Sequence, residues 1–187
     1  MKYILGVLAV VIVLFATIFW IITSGPDDSE AVQENAVVEL IDYADSGASV
    51  TYNISGPIVG EEEHRQVRIT VNRNQRIFEL ISGYNGKVLQ RETFTNTRDA
   101  FEEFVYAIDL AGFADEKDAD FESIKGVCPN GRRTEYTLSD QGDDIARLWS
   151  TSCDKDDGSF AGDRNLVKNL FEDQILEYRA ITRGVRL

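Results

Sequence analysis

Alternating hydrophobic and polar residues predict a β-sheet in the middle of the chain. In the segment from Ser49 to Ser55, for example, Val50, Tyr52 and Ile54 stand between polar neighbours. A period of two is typical of antiparallel strands that bury one face. The predicted strands span residues 49–55, 66–71, 76–81 and 88–94. The tight-turn pair Asn85-Gly86 separates the last two, so the pattern predicts a four-strand meander.

Hydrophobic residues spaced three and four apart predict three helices beside this sheet. The first stripe consists of Val32, Ala36, Val37, Leu40, Ile41 and Ala44. The second follows a predicted cap at Asn96, ends at Gly112 and consists of Phe101, Phe104, Val105, Ile108 and Ala111. The third lies in residues 162–178 and consists of Leu166, Val167, Leu170, Phe171 and Ile175.

A second hairpin is predicted where the segments RTEYTLS and DIARLWSTS flank the turn sequence DQGD. A turn at Asp140-Gln141 places Tyr136 opposite Ile145 and, by the same count, Cys128 opposite Cys153. The hydrophobic face then carries Tyr136, Leu138, Ile145, Trp149 and both cysteines. The predicted fold class is α+β: one domain with an antiparallel sheet, formed by the meander and a disulfide-closed hairpin, covered by about three helices.

The two cysteines have three possible roles, of which a structural disulfide is favoured. A redox pair usually has the spacing Cys-x-x-Cys, whereas Cys128 and Cys153 are far apart in sequence. A structural zinc site needs four ligands, and the chain has two cysteines and one histidine. We therefore expect a Cys128–Cys153 bond, which would persist in an oxidising compartment.

The N-terminal residues 4–22 contain no charge and no proline. A helix of that length spans the hydrocarbon core of a bilayer, and residues 19–21 are too hydrophobic for the end of a cleavable signal. Lys2 precedes the segment and acidic residues follow it, which favours a cytoplasmic N-terminus. The predicted organisation is a transmembrane anchor (residues 1–23) that binds the lipid bilayer through residues 4–22, a linker (24–28) and an extracytoplasmic α+β domain (29–187).

The net charge of −13 disfavours nucleic-acid binding, because such a surface repels phosphate groups. We expect an envelope protein or a glycan as partner instead. A smaller basic cluster at the C-terminus, formed by Arg179, Arg183 and Arg186, is either an ordinary helix end or a contact for an acidic partner.

The acidic loop after Cys153 is a weak candidate for calcium binding and the only cofactor site that the sequence suggests. Its candidate ligands are Asp154, Asp156, Asp157 and Asp163. Counted from Asp154, however, the glycine is fifth where the common calcium loop needs it sixth, and no glutamate closes the loop. A solvated turn that leads into a helix cap at Asp163 is the favoured interpretation. His64, which follows three glutamates, is likewise interpreted as part of a solvated loop.

No complete catalytic or nucleotide-binding motif occurs in the sequence. The sequence therefore predicts a single-pass, membrane-anchored extracytoplasmic domain that binds or scaffolds a partner at the cell envelope without catalysis. Two alternatives stay open: an envelope hydrolase that uses a pair of carboxylates, and a structural subunit of a surface assembly.

Overall fold

The computed structural model describes residues 39–154 and 157–187. Six strands form one antiparallel sheet in the spatial order β4-β3-β2-β1-β5-β6. The strands are β1 (Ser49–Ser55), β2 (Arg65–Asn72), β3 (Gln75–Ser82), β4 (Lys87–Thr95), β5 (Arg133–Asp140) and β6 (Asp143–Thr151). The described helices are a 3₁₀ turn (Leu40–Tyr43), α1 (Arg98–Leu110), α2 (Arg164–Asp173) and α3 (Tyr178–Ile181). The predicted α+β class with an antiparallel sheet is confirmed.

The predicted meander is confirmed as β1–β4. Strand β1 has the predicted bounds, and each of the other three is one residue longer at both ends. Tyr52 in β1 pairs with Ile69 on one side and with Tyr136 of β5 on the other. The β5–β6 hairpin therefore extends the same sheet beyond β1 and does not form a separate layer.

The predicted register of the second hairpin is wrong. The turn lies at Gln141-Gly142, both of which have positive φ angles (52° and 98°), as a tight two-residue hairpin turn requires. A register shift between Leu138 and Ser139 then places Tyr136 opposite Leu148 instead of Ile145. Leu148 is accordingly 4% exposed, whereas Ile145 is 37% exposed.

The core lies between one face of the sheet and the helices. The predicted buried stripe of α1 is confirmed for all five residues, Phe101, Phe104, Val105, Ile108 and Ala111. The ring of Phe171 in α2 packs on Tyr52 of β1 (centroids 5.6 Å apart), and Tyr178 of α3 packs on Phe78 of β3. Aromatic side chains from strands and helices thus join the two layers.

The third predicted helix is interrupted. Helix α2 ends at Asp173, and Glu177 adopts a left-handed conformation (φ 57°) before α3 begins. Of its predicted stripe, Val167, Phe171 and Ile175 are buried, Leu170 is partly buried, and Leu166 is exposed.

The helix caps differ partly from the prediction. Thr97, not Asn96, caps α1, because its Oγ1 accepts a hydrogen bond from the Ala100 N–H. The predicted cap at Asp163 is confirmed, because its carboxylate accepts from the N–H groups of Asn165 and Leu166.

The predicted anchor in residues 4–22 and most of the first predicted helix lie outside the described residues. In residues 39–154 and 157–187 no helix is long and apolar enough to cross a membrane. Of the first helical stripe, Leu40 and Ala44 are buried, and Ile41 is 39% exposed.

Candidate functional site

The disulfide joins the segment before β5 to the segment after β6. Cys128 and Cys153 are bonded, with their Cα atoms 5.6 Å apart, although Cys128 precedes the paired part of β5. The adjacent backbone continues the hairpin, since the Ser152 N–H donates to the Arg132 carbonyl and the Arg132 N–H donates to Ser152 Oγ. The predicted disulfide is confirmed, and it closes the open end of the β5–β6 hairpin.

The acidic loop between β6 and α2 is organised by Arg164. Its guanidinium donates to the carbonyl oxygens of Thr151 (2.9 Å), Asp157 (3.2 Å) and Asp154 (3.4 Å). Backbone carbonyls of this kind are also what calcium binds in acidic loops. Within the described residues, these carbonyls therefore contact the positive charge of Arg164, as the carbonyls of a calcium loop would contact the ion.

Two carboxylates of this loop have structural roles within the protein. The Asp157 carboxylate accepts from the Thr151 hydroxyl (3.0 Å), and the Asp163 carboxylate caps α2. Asp156 lies outside the described residues. In the part of the chain that the structure describes, no three His, Cys, Asp or Glu side chains are placed to hold a metal ion.

We predict that millimolar calcium leaves the melting temperature of the protein unchanged. The reason is that Arg164 already donates to the loop carbonyls and would repel a divalent cation. A calorimetric scan with calcium, compared with one in a chelator, checks this. A large upward shift with calcium would contradict it and restore the calcium hypothesis for Asp154, Asp156, Asp157 and Asp163.

His64 is not a solvated loop residue, as the sequence suggested, but 2% exposed. Its ring stacks on Tyr84 with centroids 4.2 Å apart, and its Nδ1 lies 3.2 Å from the Pro57 carbonyl oxygen. The Tyr84 hydroxyl in turn donates to the Val59 carbonyl, and the Glu61 carboxylate accepts from the Tyr84 N–H. These contacts fasten the β1–β2 loop to the β3–β4 turn.

Burial lowers the pKa of His64, and the nearby Arg133 acts in the same direction. In the unfolded chain His64 has its ordinary pKa of 6.5, whereas the folded state binds this proton less readily. The contribution of His64 to stability is therefore fully present above that pH and is lost as the pH falls below it. We predict that His64→Phe, which keeps a ring on Tyr84, loses stability less steeply than the wild type between about pH 7 and about pH 5. Melting temperatures of both proteins across that range check this, and equal slopes would contradict it.

The sheet face opposite the helices carries a row of polar side chains at mid-strand. Glu79 of β3 lies between Arg68 and Arg91, at 3.6 and 3.5 Å. Further along the row, the Asn53 amide donates to Glu135 (3.2 Å), which also pairs with Arg147. The Arg68 and Arg91 side chains are 41% and 55% exposed. The arginines at mid-strand are therefore accessible and paired within the sheet, whereas Ile77, Ile81 and Trp149 on the same face are buried.

The two carboxylates of this row do not suit glycoside hydrolysis. Glu79 and Glu135 lie on β3 and β5, three strand spacings apart, which is about 14 Å. Glycosidase carboxylates lie roughly 5–9.5 Å apart. Each of these glutamates also has an arginine partner. The hydrolase alternative thus has no support from this face.

The two edges of the sheet differ. Residues Gly158 to Phe160 run beside β6, where the Phe160 N–H donates to the Trp149 carbonyl (3.0 Å). Gly158 makes this approach possible, because a Cβ there would collide with the Trp149 carbonyl oxygen. At the opposite edge, no described segment pairs with the outer side of β4. The β6 edge is therefore covered at its Trp149 end, whereas the β4 edge is open among the described residues.

The open edge belongs to a basic part of this acidic chain. Residues 65–98, which contain β2, β3 and β4, include seven arginines or lysines and two glutamates, a net charge of +5, whereas the whole chain has −13. This segregation is visible in a count of charges along the chain, although it was not among the predictions. The roles of His64 and Arg164 were not predicted either, because they depend on contacts between distant segments.

The sequence suggests the three C-terminal arginines as a contact for an acidic partner, and they lie in and after helix α3. Arg179 belongs to the short helix α3, and Arg183 and Arg186 follow it, all with exposed side chains. The chain end folds back on the domain, because the Leu187 backbone lies against Gly56. The interpretation of these arginines as a partner contact stays a prediction.

Comparisons with known proteins do not identify a family. A scan against protein-family models finds no match, and a search of the curated proteins finds no significant relative.

Proposed function

We propose that this chain is a single-pass, membrane-anchored extracytoplasmic domain that binds or scaffolds an envelope partner and has no catalysis of its own. The observation that carries the proposal is the unequal coverage of the sheet. Helices pack on one face and residues Gly158 to Phe160 cover the Trp149 end of β6, whereas among the described residues the arginines of the polar face are exposed and nothing pairs with the β4 edge. An accessible sheet held by a rigid core is suited to recognition.

Two features support the location. The Cys128–Cys153 disulfide is of the kind that persists outside the reducing cytoplasm. Residues 4–22 are uncharged and long enough to span a bilayer, with Lys2 on the side that favours the cytoplasm. The linker of residues 24–28 would keep the domain close to its membrane, so its partner is an envelope component.

The location is tested with the full chain, tagged at either terminus and expressed in cells. We expect it to resist alkaline carbonate extraction, and external protease to remove the C-terminal tag while the N-terminal tag is protected. A variant with Val11→Arg and Val13→Arg interrupts the apolar segment and should become extractable. A protected C-terminal tag in the wild type would overturn the proposed orientation.

Binding is tested by photo-crosslinking in the same membranes. A crosslinking residue at Thr93, exposed on β4, should capture a discrete partner, whereas one at Glu103, exposed on the outer side of α1, should not. Equal crosslinking at both positions, or none from the sheet, would contradict a binding role for it. Crosslinks between copies of the chain alone would favour the structural-subunit alternative.

A further inference from the structure

We propose that the outer edge of β4 binds an acidic, extended peptide segment of a partner protein, which adds to the sheet as a seventh strand. This inference rests on the proposed binding function and specifies the surface and the chemistry of the partner. An edge strand offers a row of N–H and C=O groups to any chain that can pair with it. Within the described residues no segment pairs with the outer side of β4, whereas Gly158 to Phe160 occupy the Trp149 end of β6.

The two cations of β4, Lys87 and Arg91, outnumber its single carboxylate, Glu92, and favour acidic over basic residues on an added strand. Lys87 pairs with Ser82 and Arg91 with Glu79, and because a register shift lies between these pairs, the two cations point to opposite faces of the sheet. An added strand presents its side chains to both faces in alternation, so a carboxylate on either face would meet a cation. At the far end of β4, the Arg76 guanidinium donates to the Thr95 carbonyl and adds positive charge there.

The same strand also offers apolar contacts. Val88 and Leu89 lie between the two cations and are 44% and 48% exposed. Exposed aliphatic side chains on an edge strand gain burial when another strand covers them. The complementary peptide therefore carries acidic residues on both of its faces, interspersed with apolar or β-branched residues.

A second copy of this chain is a poorer occupant of the edge. Two β4 strands paired around a two-fold axis would bring Lys87 and Arg91 of both copies into one seam, and like charges opposed across a strand pair are destabilising. The β6 edge of a second copy is also partly occupied, since its own residues Gly158 to Phe160 run beside Trp149. The occupant that fits both observations is an acidic strand from a different protein.

The test uses the full chain in nanodiscs of phosphatidylcholine, which carries no net charge. The probe is a fluorescent ten-residue peptide in which pairs of glutamates alternate with pairs of valines, so that carboxylates project from both faces of the strand, and its match replaces glutamate with lysine. We expect the glutamate peptide to bind about tenfold or more tightly than the lysine peptide, since roughly two exposed ion pairs distinguish them. Hydrogen exchange should slow at the β4 amides when the glutamate peptide is bound.

Two controls separate strand addition from general attraction. The same glutamate peptide with N-methylated amides keeps its charge but loses its donors, so its binding should disappear. The double variant Lys87→Glu, Arg91→Glu should weaken binding about tenfold, whereas the matched variant Arg183→Glu, Arg186→Glu should not. Lys87→Gln, Arg91→Gln provides the milder change if the charge reversal beside Glu79 impairs folding.

Four results would overturn the inference. They are no binding of the glutamate peptide up to about 1 mM, equal binding of its N-methylated form, loss of binding with the C-terminal double variant instead, and a β4-dependent dimer in sedimentation without peptide. None of these bears on the protease and carbonate results, so the location and this binding surface fail separately.

Discussion

Replacement of Phe171 by alanine is expected to lower the free energy of unfolding by about 3–5 kcal/mol. Phe171 is fully buried, and its ring lies 5.6, 5.1 and 5.7 Å from the rings of Tyr52, Phe104 and Phe113, measured between centroids. It therefore joins the sheet to α1, α2 and the segment after α1. Deleting the ring removes hydrophobic burial and leaves a cavity that several rigid neighbours cannot fill.

The matched control is Leu166→Ala on the same helix. Leu166 is 44% exposed, so its truncation should change the free energy of unfolding by less than about 1 kcal/mol. Urea unfolding of both variants, followed by circular dichroism, measures the difference. Similar losses for the two variants would show that the face of α2 that packs on the sheet is not the one that contains Val167 and Phe171.

The sequence predicts most of the fold because local patterns decide it. Val50, Tyr52 and Ile54 alternate with polar residues because one side of β1 is buried. A strand with one buried side has hydrophobic residues at every second position, and this pattern is visible in the sequence. The stripe of α1 is similarly local, and all of its members are buried. Even so, Asn96 was the wrong cap. Its amide donates to the Asn72 carbonyl across the β2–β3 turn, a contact that no local pattern indicates.

The register of the second hairpin could not be predicted in the same way. Gln141-Gly142 and Asp140-Gln141 are adjacent choices for a turn, and the irregularity after Leu138 adds a further shift. These two differences move the partner of Tyr136 by three residues. The disulfide prediction was nevertheless right, because Cys128 lies in a turn outside β5 and reaches Cys153 from there. A disulfide between the two ends of a hairpin can be predicted from an approximate register, whereas the face on which each side chain lies can be predicted only from the correct register.

The candidate site was predicted less well than the fold. The sequence drew attention to the aspartates near Cys153, whereas the structure gives Asp157 and Asp163 local hydrogen-bonding roles and directs Arg164 into the loop. It suggested a solvated His64, yet burial of that ring depends on Tyr84, twenty residues later. Which edge of a sheet is open likewise depends on the order of the strands, since β4 and β6 are equally hairpin strands in the sequence.

Loss of the disulfide is expected to lower the free energy of unfolding by roughly 3.5 kcal/mol, from the entropy of the closed loop in the unfolded chain. The cysteines are 25 residues apart, and the bond closes a loop that contains the whole β5–β6 hairpin. For a domain of this size that corresponds to a decrease in melting temperature of about 7–14 °C. The double variant Cys128→Ser, Cys153→Ser and the reduced wild type should unfold at similar temperatures.

The reductant itself provides the control, because it should lower the melting temperature of the wild type and leave that of the double variant unchanged. Thermal unfolding of the full chain, with and without reductant, measures all four conditions.

The loss of stability falls on β5 and β6 first, since β6 has a strand on one side and a loop on the other. Hydrogen exchange should therefore accelerate in β6 before it does in β1, which lies between β2 and β5. Uniform acceleration across the sheet would show that the bond stabilises the domain as a whole and not its hairpin. An unchanged melting temperature would show that the residues between the two cysteines are already ordered in the unfolded chain.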